Sequence, residues 1–262
     1  MLSSAGILRY IKTDGVFLVE TRDLVTSTNT VLRQEAAKGA PEGYVLAVDA
    51  QSEGRGRLGR KWYSPYGNAV YFSVILRPEI KCEETLLITT AAAVASAHAI
   101  ESIYGLEVGI KWVNDLFLDG KKVCGILTEA SINVNDGSIE SAVLGFGINI
   151  TIPPEGYPKE IKNIATSLAK ENTHENTRCL VIARTLDYFW EYYLSLSSLE
   201  FLEQYKSSSI LIGRDVYVIF PNQQKLAYVI TIDDRCRLVV RFDDGEIAAL
   251  DSGEVRVKGI DI

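Results

Sequence analysis

Gly54-Arg55-Gly56-Arg57-Leu58-Gly59-Arg60-Lys61-Trp62 is followed after Tyr63 by Ser64-Pro65-Tyr66-Gly67-Asn68 and then by Ala69-Val70-Tyr71-Phe72-Ser73-Val74-Ile75-Leu76, a run that separates two fold classes. Gly54, Gly56 and Gly59 match the G-x-G-x-x-G spacing of dinucleotide-binding folds. That fingerprint works where a strand ends and a helix begins, because the pyrophosphate rests on the helix N-terminus. Here a turn cluster and a run of β-branched and aromatic residues follow, so the motif sits on a strand, a loop and a second strand. A loop in that setting must bind an anion with its own side chains and amides. Four cations supply forked or point-charge donors, glycine permits close backbone approach, and Trp62 offers a flat face for a base. A solvated basic loop is the bland alternative for such a run.

Outward from this loop, Tyr44 to Val48 reads as a strand running into Gln51. Thr26-Ser27-Thr28-Asn29 precedes a short helix over 31–38, closed by Gly39. On the other side lies an alanine-rich helix over 85–104. Strands then follow at 106–112, 116–118, 121–132 and 140–150, with turns at Asp119-Gly120 and Asn135-Asp136-Gly137. Asp-Gly between apolar runs signals a hairpin, so this stretch is an antiparallel meander. Few β-α-β units point to an α+β layer, a mixed or antiparallel sheet backed by helices. Apolar positions at helical spacing over 177–196 predict another helix, and Ser197-Ser198-Leu199-Glu200 reads as a capping box opening one more, to Lys206. Ser207-Ser208-Ser209 marks a break. Short strands at 215–220, 226–232, 238–242, 247–250 and 255–257 then make a small β-barrel or sandwich, giving a division into residues 1–209 and 210–262.

At 262 residues with a net charge of −7, the chain is acidic, so the cations of the loop form a local site rather than a nucleic-acid-binding surface. Cys82, Cys124, Cys179 and Cys236 are widely spaced, and His98 and His174 are not clustered, so neither structural zinc nor a disulfide framework is expected. No export signal opens the chain. Residues 85–100 are free of charge but rich in alanine and threonine, a buried helix rather than a membrane span. A reducing cytoplasm is the expected location.

Three further features carry chemistry. Lys111-Trp112-Val113-Asn114-Asp115 places a lysine at a strand end beside a turn, although a strand lysine commonly just points to solvent. Gly145-Phe146-Gly147-Ile148-Asn149 puts two glycines inside a strand, which marks either a bulge or a close approach to the backbone. Thr26-Ser27-Thr28-Asn29 is either a plain helix cap or a set of hydroxyl and amide groups facing a polar ligand.

Taken together these motifs resemble the biotin protein ligases, whose pattern runs S-T-N, Q-x-x-G-R-G-R-x-G-R-x-W, K-W-P-N-D, G-x-G-I-N and a late G-E-V. Ser27-Thr28-Asn29, Gln51, the basic loop, Lys111-Trp112 with Asn114-Asp115, Gly145 to Asn149 and Gly253-Glu254-Val255 follow that order over nearly the whole chain. Val113 stands in place of the family's proline and loosens the turn without removing a reactive group. The resemblance implies a class II synthetase-like catalytic domain followed by an SH3-like β-barrel. It also implies an activity: biotinyl-5′-AMP made from biotin and ATP with Mg2+, then transfer of biotin to a lysine of a biotin carboxyl carrier protein. It implies Lys111, Arg55 and Arg57 as catalytic groups, and Ser27, Thr28, Asn29, Gln51, Gly54, Arg55, Lys111, Gly145 and Gly147 around biotin. Arg57, Arg60, Trp62, Asn114, Asn149 and Lys258 are implied at the nucleotide, with no metal ligand assigned. Some relatives pair through the sheet, so a homodimer through an open edge is a further expectation.

Two other functions compete. A lipoate or octanoate ligase has a similar catalytic fold, but leaves a ureido-facing Gln51 without obvious use. A repressor responsive to biotinyl-AMP needs a helix-turn-helix domain ahead of Ser27, where the residues present are too few. Neither membrane nor nucleic acid is an expected partner.

Overall fold

The computed structural model describes residues 1–133, 135–170, 176–220 and 223–251, and the backbone of 256–259. Its first sheet is made of β1 (Leu18–Val25), β2 (Tyr44–Gln51), β3 (Ala69–Leu76), β4 (Gly109–Lys111), β5 (Asp115–Leu118), β6 (Lys121–Ile132) and β7 (Ile139–Asn149). They lie in the order β1-β2-β3-β7-β6-β5-β4. β1 and β2 are parallel, joined across helix α2 (Thr28–Ala37), and every other pairing in this sheet is antiparallel. The strand, loop and strand read from the sequence are thus β2, residues 52–68 and β3, and no helix follows the glycine motif.

Alternation along the strands divides the sheet into two faces. On β3 and β7, Val70, Phe72, Val74, Leu144, Phe146 and Ile148 point into the main core, where the rings of Phe72 and Phe146 stack 4.6 Å apart. Helices α3 (Thr85–Tyr104) and α4 (Thr177–Leu194) cover that face. α3 and the short turn before it are long and apolar enough to cross a membrane, but two-thirds of their most apolar stretch is buried, and its alanines pack in the core instead. Gly105 closes α3 in the left-handed conformation, φ 64°. The opposite face carries Ser73, Gly145, Gly147, Gly125 and Leu127, with α2 and a smaller core around Leu32, Leu46, Tyr71 and Val143 at one side. This second face holds the site.

Helix α5 (Glu200–Ser207) leads to a five-stranded antiparallel sheet, ordered β11-β10-β9-β8-β12. Its strands are β8 (Asp215–Ile219), β9 (Gln224–Ile232), β10 (Leu238–Phe242), β11 (Ile247–Leu250) and β12 (Arg256–Gly259). Val218, Val229, Leu238 and Val240 belong to the same buried cluster as the large sheet. Hydrogen bonds cross the 209/210 division: Ile210 N donates to Ile110 O at 3.0 Å and Trp112 Nε1 donates to Cys236 O at 2.9 Å. We propose that the division marks two folding units sharing one core.

Some local expectations change. The capping box at Ser197 does not form, because Leu196–Ser198 is a 3-10 turn and Leu199 takes φ 56°; α5 starts at Glu200 with no side-chain cap. Regular pairing over 106–112 shortens to β4. Near the start, helix α1 (Ser4–Leu8) precedes β1, which runs from Leu18 to Val25. Gly253-Glu254-Val255 lie outside the described residues.

α4 is locked to the large sheet by charge as well as by packing. Arg178 bonds the Asp49 carboxylate of β2, and its Nε donates to Ala69 O at 2.9 Å. Removing one partner of a buried pair strands the other charge. Asp49→Ala should therefore lower the unfolding free energy by about 3–5 kcal/mol, read from urea denaturation. A loss of less than about 1 kcal/mol, the range of an exposed pair, would contradict this role.

Candidate active site

A cavity of 620 Å3 opens on the second face of the sheet, under the basic loop. Three glycines make its floor approachable. Gly125 of β6 and Gly147 of β7 are cross-strand partners, and the Trp62 indole lies against both. A Cβ at Gly147 would stand 2.4 Å from Trp62 Nε1, and one at Gly125 would stand 2.7 Å from Cζ3. At Gly145 a Cβ would come within 1.9 Å of Asn29 Oδ1. The close approach foreseen at Gly145 and Gly147 is thus made by protein side chains, from α2 and the loop. Gly54 does not line the cavity: its missing Cβ leaves room for Trp62 O and Ser64 Oγ, which brings the two arms of the loop together.

One end of the cavity is a chain of neutral polar groups. Ser27, Thr28 and Asn29 are buried at the start of α2, and Ser27 is the N-cap residue without using its hydroxyl to cap the helix. Thr28 N donates to Gln51 Oε1 at 2.9 Å, and Gln51 Nε2 donates to Ser64 Oγ at 3.0 Å. Ser73 Oγ lies 2.7 Å from both Thr28 Oγ1 and Asn29 Oδ1. Neutral donors and acceptors on a rigid strand and a helix start suit a polar, uncharged group.

The other end carries charge. Lys111 lines the cavity from β4, with Nζ 5.3 Å from the centre of the Phe117 ring. Arg57 Nη1 donates to Asn114 Oδ1 at 3.1 Å, and Asn114 Nδ2 donates to Ile126 O at 2.6 Å. Burial pushes the Arg57 pKa down, opposed by the Asp115 carboxylate, so an anion arriving here gains a poorly solvated cation. The turn bearing Val113 is held, not loose: Tyr205 OH donates to Val113 O at 2.9 Å. Arg60 lines the mouth and is exposed. Asn149 Nδ2 donates to Thr166 O at 2.9 Å, in a loop whose residues Tyr157, Ile161 and Asn163 complete the wall.

The structure therefore brings together on one cavity Ser27, Thr28, Asn29, Gln51, Arg55, Arg57, Arg60, Trp62, Lys111, Asn114, Gly145, Gly147 and Asn149. Lys258 belongs to β12, paired with Tyr217, and its side chain lies outside the described residues. Sequence reasoning missed Gly125, Asp115 with its partner Lys122 at 2.6 Å, and the 157–165 wall. Gly125 carried the same strand-glycine signal as Gly147; the wall lies between regular elements and carried none. Among the described residues no group of three His, Cys, Asp or Glu side chains is placed to hold a metal, and Cys124, in the core behind β6, has its thiol pushed up to about 12 by burial.

Cations fixed on a strand and on a loop, at one end of a slot whose other end is neutral and polar, suit a carboxylate joined to a polar head through an apolar body. The class so defined is a ligase that activates a small organic acid. Residues 22–149 match the Biotin/lipoate A/B protein ligase family, and residues 211–258 match the Biotin protein ligase C terminal domain. The bifunctional ligase/repressor BirA of Bacillus subtilis is 34% identical over 226 residues, covering 85% of this chain and 69% of that protein. Biotin--[acetyl-CoA-carboxylase] ligase of Mycobacterium tuberculosis is 29% identical over 237 residues, covering 87% and 85%. The fold is shared with the biotin protein ligase of Aquifex aeolicus in complex with biotin and ATP, with a TM-score of 0.72 at 24% identity, over 92% of this chain and 98% of that one. This chain belongs to the biotin protein ligases of the Biotin/lipoate A/B protein ligase family.

The glycine floor yields a test that needs no ligand. Gly145→Ala forces a Cβ onto an Asn29 amide already bonded at both ends, so it should cost about 1–3 kcal/mol in urea unfolding, as overpacking does. Stability equal to wild type would mean that Asn29 yields freely and does not define the floor.

Proposed function

We infer that this chain attaches biotin to a lysine of a biotin carboxyl carrier protein in two steps. In the first, a biotin carboxylate oxygen attacks the α-phosphorus of ATP, the bond to the bridging oxygen breaks, and pyrophosphate leaves. In the second, the neutral carrier lysine amine attacks the acyl carbon of biotinyl-5′-AMP, AMP leaves with the bonding pair, and the nitrogen gives up one proton to water. The observation that carries this reading is the division of one cavity into a neutral polar end and a cationic end.

Each end has its task. Ser27, Thr28 and Gln51 offer donors and acceptors to the ureido ring, and Asn29, bonded at both ends of its amide, holds the helix start beside them. A lipoate or octanoate ligase would leave this polar chain unused. The first step brings two anions into bonding distance, and fixed cations stabilise the charge that gathers there. Lys111, on a strand, suits the carboxylate and α-phosphate together. Arg57, poorly solvated and held by Asn114, suits the same phosphate. Arg55 closes the biotin end, and Arg60 meets phosphates at the mouth. Trp62 and Asn149 serve the nucleotide, and Lys258 joins them by the resemblance alone. Magnesium enters with the triphosphate.

The mixed anhydride must be kept from water, and the loop over 53–61 excludes it. A cytosolic location and a homodimer formed along a sheet edge complete the proposal, the dimer being open to test by light scattering.

Lys111→Ala should leave the fold intact and cut biotin-dependent exchange between ATP and pyrophosphate by roughly two to three orders of magnitude, the usual loss for one transition-state charge. Exchange near the wild-type rate would remove Lys111 from the first step. Trp62→Ala should weaken ATP binding roughly fivefold to a hundredfold and leave biotin binding nearly unchanged, if base stacking carries its usual 1 to 3 kcal/mol, in separate calorimetric titrations. The reverse pattern would move Trp62 to the biotin end.

A further inference from the structure

Glu129 lies on β6, on the same face as Gly125 and Leu127, yet it does not line the cavity. Its carboxylate gathers three residues from two other elements. Arg55 of the loop reaches it with both terminal nitrogens, Nη1 at 3.2 Å from Oε2 and Nη2 at 3.0 Å from Oε1. Asn29 of α2 donates Nδ2 to Oε2 at 3.0 Å, and the exposed Arg33 lies 3.3 Å from Oε1.

A single exposed pair would matter little. Here the carboxylate side chain is only 17% exposed, the arginine contact is two-pronged, and a neutral amide shares the same oxygen. That is the geometry in which an arginine is oriented as well as attracted. Asn29 is fixed in turn: Nδ2 also donates to Leu127 O at 3.2 Å, while Oδ1 meets Ser73. From Ser73 the chain runs on through Thr28 and Gln51 to Ser64. One carboxylate outside the cavity therefore sets both the seat of Arg55 and the orientation of the polar end.

We propose that Glu129 is a positioning residue that pins the basic loop to β6 through Arg55 and fixes the amide of Asn29. Its catalytic consequence rests on the function proposed above; its structural consequence does not.

Glu129→Gln keeps the shape but offers one acceptor oxygen where two are needed, so it breaks the two-pronged contact without opening a cavity. Amide hydrogen exchange of residues 53–61 in the protein alone should rise roughly tenfold, the worth of a charge-assisted bond. The KM for biotin should rise by a similar factor, with kcat changed less than about threefold, because the lost interaction is one of binding. In an Arg55→Ala background the same change should add less than about twofold to loop exchange, since the two residues act as one unit. Arg33→Ala, which removes the single-pronged partner and leaves the two-pronged Arg55 contact in place, should keep both readouts within about twofold.

Unchanged loop exchange in Glu129→Gln, or an undiminished effect in the Arg55→Ala background, would overturn the pin. Raised exchange in a protein whose wild type does not turn over biotin would sustain the pin and fail the proposed function instead, so the two are separable.

Discussion

The absence of side chains at Gly125, Gly145 and Gly147 is the constraint on which the site depends. A strand face normally projects a Cβ at every second residue, holding any neighbour several ångströms from the backbone. Here β6 and β7 leave three such positions bare, side by side, and the Trp62 indole and the Asn29 amide settle onto them. The loop thereby gains a seat on the sheet and α2 gains a polar contact with it. Both ends of the cavity are built outward from that patch.

A second consequence follows from strand alternation. Phe72, Leu144, Phe146 and Ile148 fill the core on one face, while Ser73, Gly145, Gly147 and Asn149 stand on the other in the same stretches of chain. The packing that makes the sheet rigid is therefore the packing that fixes the site. Arg178, holding Asp49 and the carbonyl of Ala69, ties the covering helix to the two strands that flank the loop. The turn that carries Lys111 and Asn114 is braced from behind by Trp112 bonding Cys236 and by Tyr205 bonding Val113.

Much of this was legible in the residues. β3 was readable to its end residues because every one of its side chains is buried, leaving an unbroken apolar run. The Asp119-Gly120 turn marked the β5–β6 hairpin, since that pair of residues accepts the conformation a tight connection needs. The twin glycines of β7 signalled a close approach but not its partner, because a side chain and a ligand leave the same mark on a sequence. The resemblance implies Gly54 at the ligand, whereas its bare Cα faces Trp62 O and Ser64 Oγ of the other arm of the loop. The capping box at Ser197 does not form because a 3-10 turn occupies Leu196–Ser198 and a left-handed Leu199 starts α5 at Glu200. Glu129 left no trace, as its meaning lies in contacts 74 and 100 residues away along the chain.

In the proposed reaction one cavity joins a biotin carboxylate to a nucleotide and hands the acyl group to a lysine. Intact-mass spectrometry of a biotin carboxyl carrier domain, incubated with this protein, biotin and MgATP, tests it most directly. The expected result is a gain of one biotinyl group on a single lysine, dependent on ATP, with biotinyl-5′-AMP detected before the carrier is added. A carrier of unchanged mass, or one that gains a lipoyl or octanoyl group from the corresponding acid while ignoring biotin, would contradict it.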